Sequence, residues 1–431
     1  MEKNVLKYWG VHDPAIFRDD VTGLYYEYST GAKCMKSSDL IHWEDVGIVV
    51  EKPPKEAVNW TESEEIWAPD IVKVGDEYRL YCSNSSWGVR QSCIFLAVSS
   101  SPEGPFEPRG IVIKTTDEMP CNAIDANIIR DQKTGEMYLV YGSFWGGVYL
   151  LKLDEETGLA AELSPEDDES CAILIGRSIA RRPEWMSSAI EGPYMIYNPD
   201  TEYYYLFVSY GSLKSDYNIR VARSRNIAGP FLDYKDVDMR TVDDNYNATG
   251  YLLFSGYEWN DGTAYMGPGH NSVLRDADGQ WYLFCHIREK NFRYEDVPFM
   301  MQVRKMFWST DGWPLLSPEV YAGEMLSVVE GEDLERKLIG IYERIHFQPM
   351  LPEGVHVATP MKLCEDHYYE NASIQGTWEV VGNRVWIRYG ETVEEAVVTP
   401  IWDEQLQQES VALTGKSDSG FTFWAKRTKG L

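Results

Sequence analysis

One stretch recurs five times along the chain and limits what it can fold into. Its copies are Asp13-Pro14-Ala15-Ile16-Phe17, Ala68-Pro69-Asp70-Ile71-Val72, Asp125-Ala126-Asn127-Ile128-Ile129, Glu191-Gly192-Pro193-Tyr194-Met195 and His270-Asn271-Ser272-Val273-Leu274. Each opens on a small or polar residue, runs through a few apolar ones, turns at Gly or Asp and returns as an aromatic-rich strand, which is the pattern of a β-hairpin. Successive copies start 55, 57, 66 and 79 residues apart. Intervals of that length hold about four strands each, as a β-propeller blade requires. Secondary similarities support the repeat: SSDLIHWEDVG, SSSPEGPFEPRGIVI and SRNIAGPFLD each read as a strand, a small-residue turn and a large aromatic. The expected fold is all-β, a five-bladed propeller.

The inner strands of a propeller run beside one axis, so equivalent positions of successive blades converge. Aligning the copies on their first residue puts Asp13, Ala68, Asp125, Glu191 and His270 in one ring. Like charges brought together and desolvated raise each other's pKa values. Small apolar residues would fill a purely structural ring at less cost. The ring is therefore the candidate active site.

Blades are expected at about 5–50, 60–113, 122–180, 188–240 and 270–320, with 241–267 as a strand plus an inserted loop. The acidic run Pro165 to Glu169 reads as a solvated loop. From about 325 the ring motif stops, and GTWEVVGNRVWIRYG and GFTFWAKR read as strands of a second unit. The domains are thus a propeller over 1–322 and a small β-barrel or sandwich over 323–431. With 15 Trp and 28 Tyr, the aromatics suit sheet packing and, for a minority, stacking on sugar rings.

A net charge of −28 and no basic patch argue against nucleic acid or an anionic membrane as partner. The N-terminal stretch lacks an apolar core, and the seven cysteines are scattered without a CxxC pair. Together these features lead to the expectation of a cytoplasmic protein with free thiols.

Cleaving a glycosidic bond needs one carboxylic acid to protonate the leaving oxygen and one carboxylate to activate water, and a third acid can tune the first. No serine elbow, HExxH, phosphate loop or dinucleotide fingerprint competes with that chemistry. His270 could hold an ion at the axis or hydrogen-bond a ring carboxylate.

The segments HDPAIF, IWAPDIVKV, NAIDANIIRD, YGSFWGGVYLLKLD, SAIEGPYM, YYYLFVSYG, NIRVARS and GPGHNSV, in that order over about 5–320, resemble glycoside hydrolase family 43, most closely its endo-α-1,5-arabinanase branch. The resemblance implies hydrolysis of arabinan or arabino-oligosaccharides with inversion. It implies Asp13 as general base, Glu191 as general acid and Asp125 as the residue that tunes and positions Glu191. It further implies a calcium ion on the axis beside His270, mostly water-coordinated, and two carboxyls about 6.5–9.5 Å apart. Trp67 and Trp87 match groove aromatics of the family. By position, Asn122, Ile124, Ser143, Phe144 and Trp145 join them as substrate-binding candidates. The chain departs from the family in carrying EGPY for EAPY and Ala126 for a common Pro. An exo-acting α-L-arabinofuranosidase or β-xylosidase is the alternative within the family, and a non-catalytic sugar-binding propeller the alternative outside it.

Overall fold

Strand-forming aromatic and β-branched residues dominate each repeat, and each repeat folds as an antiparallel sheet. The computed structural model describes residues 8–161, 175–243, 249–290, 299–324, 332–349, 355–372 and 374–428. Blade 1 contains Ala15–Arg18, Tyr25–Ser29, Lys33–Ser37 and Trp43–Ile48. Blade 2 contains Trp67–Val74, Glu77–Asn84, Cys93–Ser99 and Glu107–Lys114. Blade 3 contains Asn127–Arg130, Met137–Tyr141, Val148–Leu153 and Arg177–Ala180. Blade 4 contains Ile190–Asn198, Tyr203–Tyr210, Asn218–Ser224 and Tyr251–Phe254. Its outer strand thus lies beyond the 188–240 expected for this blade and is the strand expected within 241–267. The acidic run 165–169 lies outside the described residues.

Blade 5 corrects a second expectation. Its strands Ala264–Arg275, Trp281–Glu289 and Met300–Trp308 are completed by Tyr8–Trp9, with Tyr8 opposite Met301 and Trp9 opposite Met300. The residues before the first repeat therefore belong to the last blade, not to blade 1. The physical reason is closure: a ring of sheets is held shut by hydrogen bonds only if one sheet takes strands from both ends of the chain.

Most of the aromatic excess is spent between blades. Tyr28 is buried against Phe106, edge to face, and donates to the Pro102 carbonyl. Tyr205, Trp281 and Trp308 form another buried aromatic contact. Each such ring removes roughly 150–250 Å² from water.

The C-terminal unit is a closed eight-stranded barrel running from Gly340–His346 to Thr422–Arg427. Its interior is filled by Tyr342, Leu363, Trp378, Ile387 and Phe423, and the helix Glu332–Leu338 adds Leu334 and Leu338 to that core. Inside it, Arg344 pairs with Glu394 at 2.6 Å, and the Tyr389 hydroxyl donates to the same carboxylate. The barrel is docked on the propeller: Thr414 and Thr422 donate to the carbonyls of Leu316 and Leu252, each at 2.8 Å. Trp424 packs against Phe254 and Tyr257, with the buried Arg304 guanidinium over its ring.

Candidate active site

The inner strands of blades 2, 4 and 5 open with a bulge, in which three steps along the strand match two on its neighbour. Trp67 pairs with Ser83 while Asp70 pairs with Tyr81; Glu191 pairs with Ser209 while Tyr194 pairs with Phe207; Gly269 pairs with His286 while Ser272 pairs with Phe284. The residue after the first of each trio adopts left-handed backbone, as do the matching residues of blades 1 and 3: Asp13 (φ 59°), Ala68 (36°), Asp125 (63°), Gly192 (54°) and His270 (45°). For a residue with a Cβ this costs roughly 1–3 kcal/mol and clusters at functional sites.

The ring position of blade 4 is therefore Gly192, and Glu191 stands one residue before it, level with Trp67 and not with Asp13. Aligning on the acid hid this offset. Aligning Pro193 with Pro14 and Pro69 reveals it. The positions before the ring residue are His12, Trp67, Ile124, Glu191 and Gly269. Four of them, with Asp13, Asp125, His270, Thr30, Leu213 and Tyr217, line a cavity of about 210 Å³. At the fifth, a Cβ on Gly269 would lie 2.0 Å from the Tyr217 ring. Tyr217 occupies the space that a side chain there would fill.

Side chains from the ends of the second strands hold the ring N–H groups. Thr30 Oγ1 accepts from Ala68, Ser83 Oγ from Asp125, Ser209 Oγ from His270, and His286 Nδ1 from Asp13, at 2.7 to 3.2 Å. Blade 3 has Gly142 at this place, its N–H on the Ile124 carbonyl. With no side chain to accept, the Gly192 N–H is taken by the Asp125 carboxylate at 3.0 Å. Asp125 is thus tied to the strand that carries Glu191.

The three acids sit in different surroundings. Burial would raise Asp13, but His12 Nδ1 lies 2.9 Å from Oδ2 and His270 Nδ1 3.0 Å from Oδ1, while Thr30 donates to Oδ2 at 2.6 Å. The imidazoles hold it well below the usual carboxylate range. Burial raises Asp125 to about 7, with the Glu191 and Asp13 charges adding to it against the pull of His270. Burial also raises Glu191, against the opposing pull of Tyr217, His270 and Ser143. Ser143 donates to Glu191 Oε2 at 3.0 Å. The carboxylates around His270 overcome its burial and raise it to about 9. His286, buried and stacked on His12 at 4.4 Å, is lowered to about 3 and stays neutral. One carboxylate is pushed below its ordinary range beside two that are pushed above theirs, the kind of contrast that can divide base from acid.

Among the expected sugar contacts, Trp67, Trp87 and Ile124 line the cavity. Trp87 is 81% exposed and meets Trp67 edge-on with ring centres 6.5 Å apart, a partly open aromatic corner. Ser143 is occupied with Glu191, Asn122 is buried, and neither lines the cavity. Phe144 packs against Trp145, which faces a separate, larger cleft. The sequence reading missed His12, Thr30, Tyr217 and His286. For Thr30 a signal was present, because the second strands of blades 1, 2 and 4 end in the hydroxyl residues Thr30, Ser83 and Ser209 at equivalent places.

Two sets of atoms could hold a cation. His12, Asp13 and His286 offer ligand atoms within 4.8 Å of one another, a nitrogen-rich set suited to a transition metal. At the axis, His270 has Nδ1 on Asp13 and no hydrogen bond at Nε2 among the described residues. Both amide atoms of the adjacent Asn271 are buried without a partner.

A family model described as glycosyl hydrolases family 43 matches residues 3–314, and one for a C-terminal lipocalin-like domain matches 318–425. The extracellular endo-α-(1→5)-L-arabinanase of Thermotoga petrophila is 31% identical, over 99% of this chain and 96% of its own length. Extracellular endo-α-(1→5)-L-arabinanase 2 of Bacillus subtilis is 29% identical over 99% and 94%. The crystal structure of the Thermotoga petrophila endo-1,5-α-L-arabinanase superposes with a TM-score of 0.86 at 28% identity, covering 98% of this chain and 99% of its own. Both full-length relatives are named as extracellular, which overturns the expected cytoplasmic location.

Proposed function

The chain belongs to glycosyl hydrolase family 43, and from that premise we propose that it cuts α-1,5-linked L-arabinofuranosyl chains internally, with inversion, outside the cell. The observation that carries the reading is a cavity in which one buried carboxylate is held below its ordinary pKa and another is raised above it, in a chain matched end to end by endo-arabinanases. Asp13 takes a proton from a water as that water attacks the anomeric carbon. On the opposite face the bond from carbon to leaving oxygen breaks, and Glu191 gives that oxygen its proton. Asp125, through the Gly192 N–H, keeps the Glu191 strand in place and shares in the titration of the acid pair. Trp67 and Trp87 form the stacking surface for the sugar. An extracellular setting is compatible with the six free cysteines among the described residues, because five of them are fully buried and burial raises their thiols out of the reactive range.

Product analysis on linear α-1,5-arabinan tests the reading. We expect a ladder of arabino-oligosaccharides, reduced about 10²- to 10⁴-fold in Asp13→Ala and in Glu191→Ala. Arabinose alone from the first time points would overturn internal cleavage.

A cation at the axis fits the same site. Calcium takes oxygen ligands and tolerates water among them, and the buried Asn271 amide, the free His270 Nε2 and the acid-rich surroundings suit such an ion. When bound, it supplies positive charge that keeps neighbouring carboxylates ionised. The His12, Asp13 and His286 set is a poorer candidate, because a metal there would occupy the base. Chelation is expected to lower the melting temperature, with recovery on adding calcium; an unchanged melting curve after complete metal removal rules the ion out.

A further inference from the structure

A concavity of about 790 Å³ on the propeller has no part in the chemistry above. It opens beside the acid: Ser188, three residues before Glu191, lines it, as does Gly146 of the turn whose Phe144 N–H is held by the Ile190 carbonyl. Its walls carry Arg90, Arg181 and Arg182 with Trp145 and Trp185, and Glu184 is the one acid among the described lining residues. In a chain with 68 acidic and 40 basic side chains, a wall with an excess of arginines is a local reversal of sign. Among the described residues none of the three forms an ion pair. Arg90 donates to the Met119 and Asp117 carbonyls. Arg182 lies over the Tyr210 ring and donates to the Ala189 carbonyl. Arg181 spends only Nε, on the Arg240 carbonyl at 3.2 Å. The Arg181 terminal nitrogens therefore remain available as a fork of the kind that binds a carboxylate in two places. Trp185 stands 51% exposed and Trp145 36%, wide apolar faces that a sugar ring can cover.

We propose that this cleft binds a carboxylate-bearing sugar, Arg181 gripping the carboxylate and Trp185 stacking on the ring, on the leaving-group side of the bond that Glu191 protonates. Only the last clause rests on the hydrolase reading. A neutral furanose chain would gain nothing from three uncompensated guanidinium groups. A uronate gains a charge-assisted contact and the attraction of the other two cations. Substrates would then be arabinose chains carrying, or attached to, acidic sugars.

Calorimetric titration of the intact Glu191→Gln protein with trigalacturonate, and with arabinotriose as the neutral comparator, tests the site without turnover. Trigalacturonate is expected to bind, more weakly as salt is raised. Arg181→Ala should weaken it tenfold or more and Arg181→Lys by less, since lysine keeps the charge but loses the fork. Trp185→Ala should weaken it as well, and neither Arg181 variant should change arabinotriose binding. Absence of trigalacturonate binding, or binding that survives both Arg181→Ala and Trp185→Ala, overturns the proposal. A wild-type protein that leaves arabinan uncut would count against the hydrolase reading, while the titration would still decide the cleft.

Discussion

Burial pushes Asp13, Asp125 and Glu191 in the same direction, and their neighbours decide where each ends. Asp13 alone has imidazoles on both oxygens, so it falls while the others rise. The proposed mechanism requires Asp13 ionised and Glu191 protonated, so the rate should fall on the acid side as Asp13 gains its proton and on the alkaline side as Glu191 loses its own. Ser143 stabilises the ionised form of Glu191 through its hydrogen bond. In Ser143→Ala that support is gone, the acid holds its proton to higher pH, and the alkaline limb of kcat/KM should move upward. A limb that stays in place or moves down would show that Ser143 does not tune the acid.

At the scale of the strand, what could be read in advance was whatever one repeated local geometry dictates. Each blade opens on the same left-handed residue, so the five openings resemble one another, and the acids near them stood out. The place of Glu191 was misread by one position because blade 4 carries Gly192 at the left-handed place, where a Cβ would lie 3.0 Å from the His270 imidazole, which leaves the acid just ahead of the ring. His286 and Tyr217 were not legible. The one reaches Asp13 from 273 residues away, and the other depends on the absence of a side chain at Gly269. In the barrel, Arg344 and Glu394 form a pair buried among Tyr369, Tyr389 and Phe423. Replacing Glu394 by Gln strands the guanidinium and should cost about 3–5 kcal/mol, read from calorimetric unfolding. The partner charge holds Glu394 below its ordinary value despite burial. Its contribution is therefore present above the unfolded pKa of about 4.5 and lost as pH falls through the folded one.

For the whole molecule, the barrel works as a cover more than as a container. Its interior is packed with side chains, whereas its outer Trp424 completes an aromatic cluster with Phe254 and Tyr257 of the propeller. Cutting the chain at residue 322 would expose these rings and the buried Arg304. Such a fragment should melt earlier and self-associate, as scanning calorimetry and light scattering would register; unchanged melting would mean that the propeller does not depend on its cover.

The seam between the first and last blades has a consequence for the chain as it leaves the ribosome. Asp13 emerges early with His12 beside it, but the imidazole on its other oxygen, His270, arrives only after four blades have been made. Tyr8–Trp9 cannot find its partner strand until Met300 and Met301 are out. Any shortened translation product that stops before that strand carries an unclosed ring. The seam between first and last blades thus forms only once about three hundred residues have been made, and an earlier stop leaves the first strand without its partner.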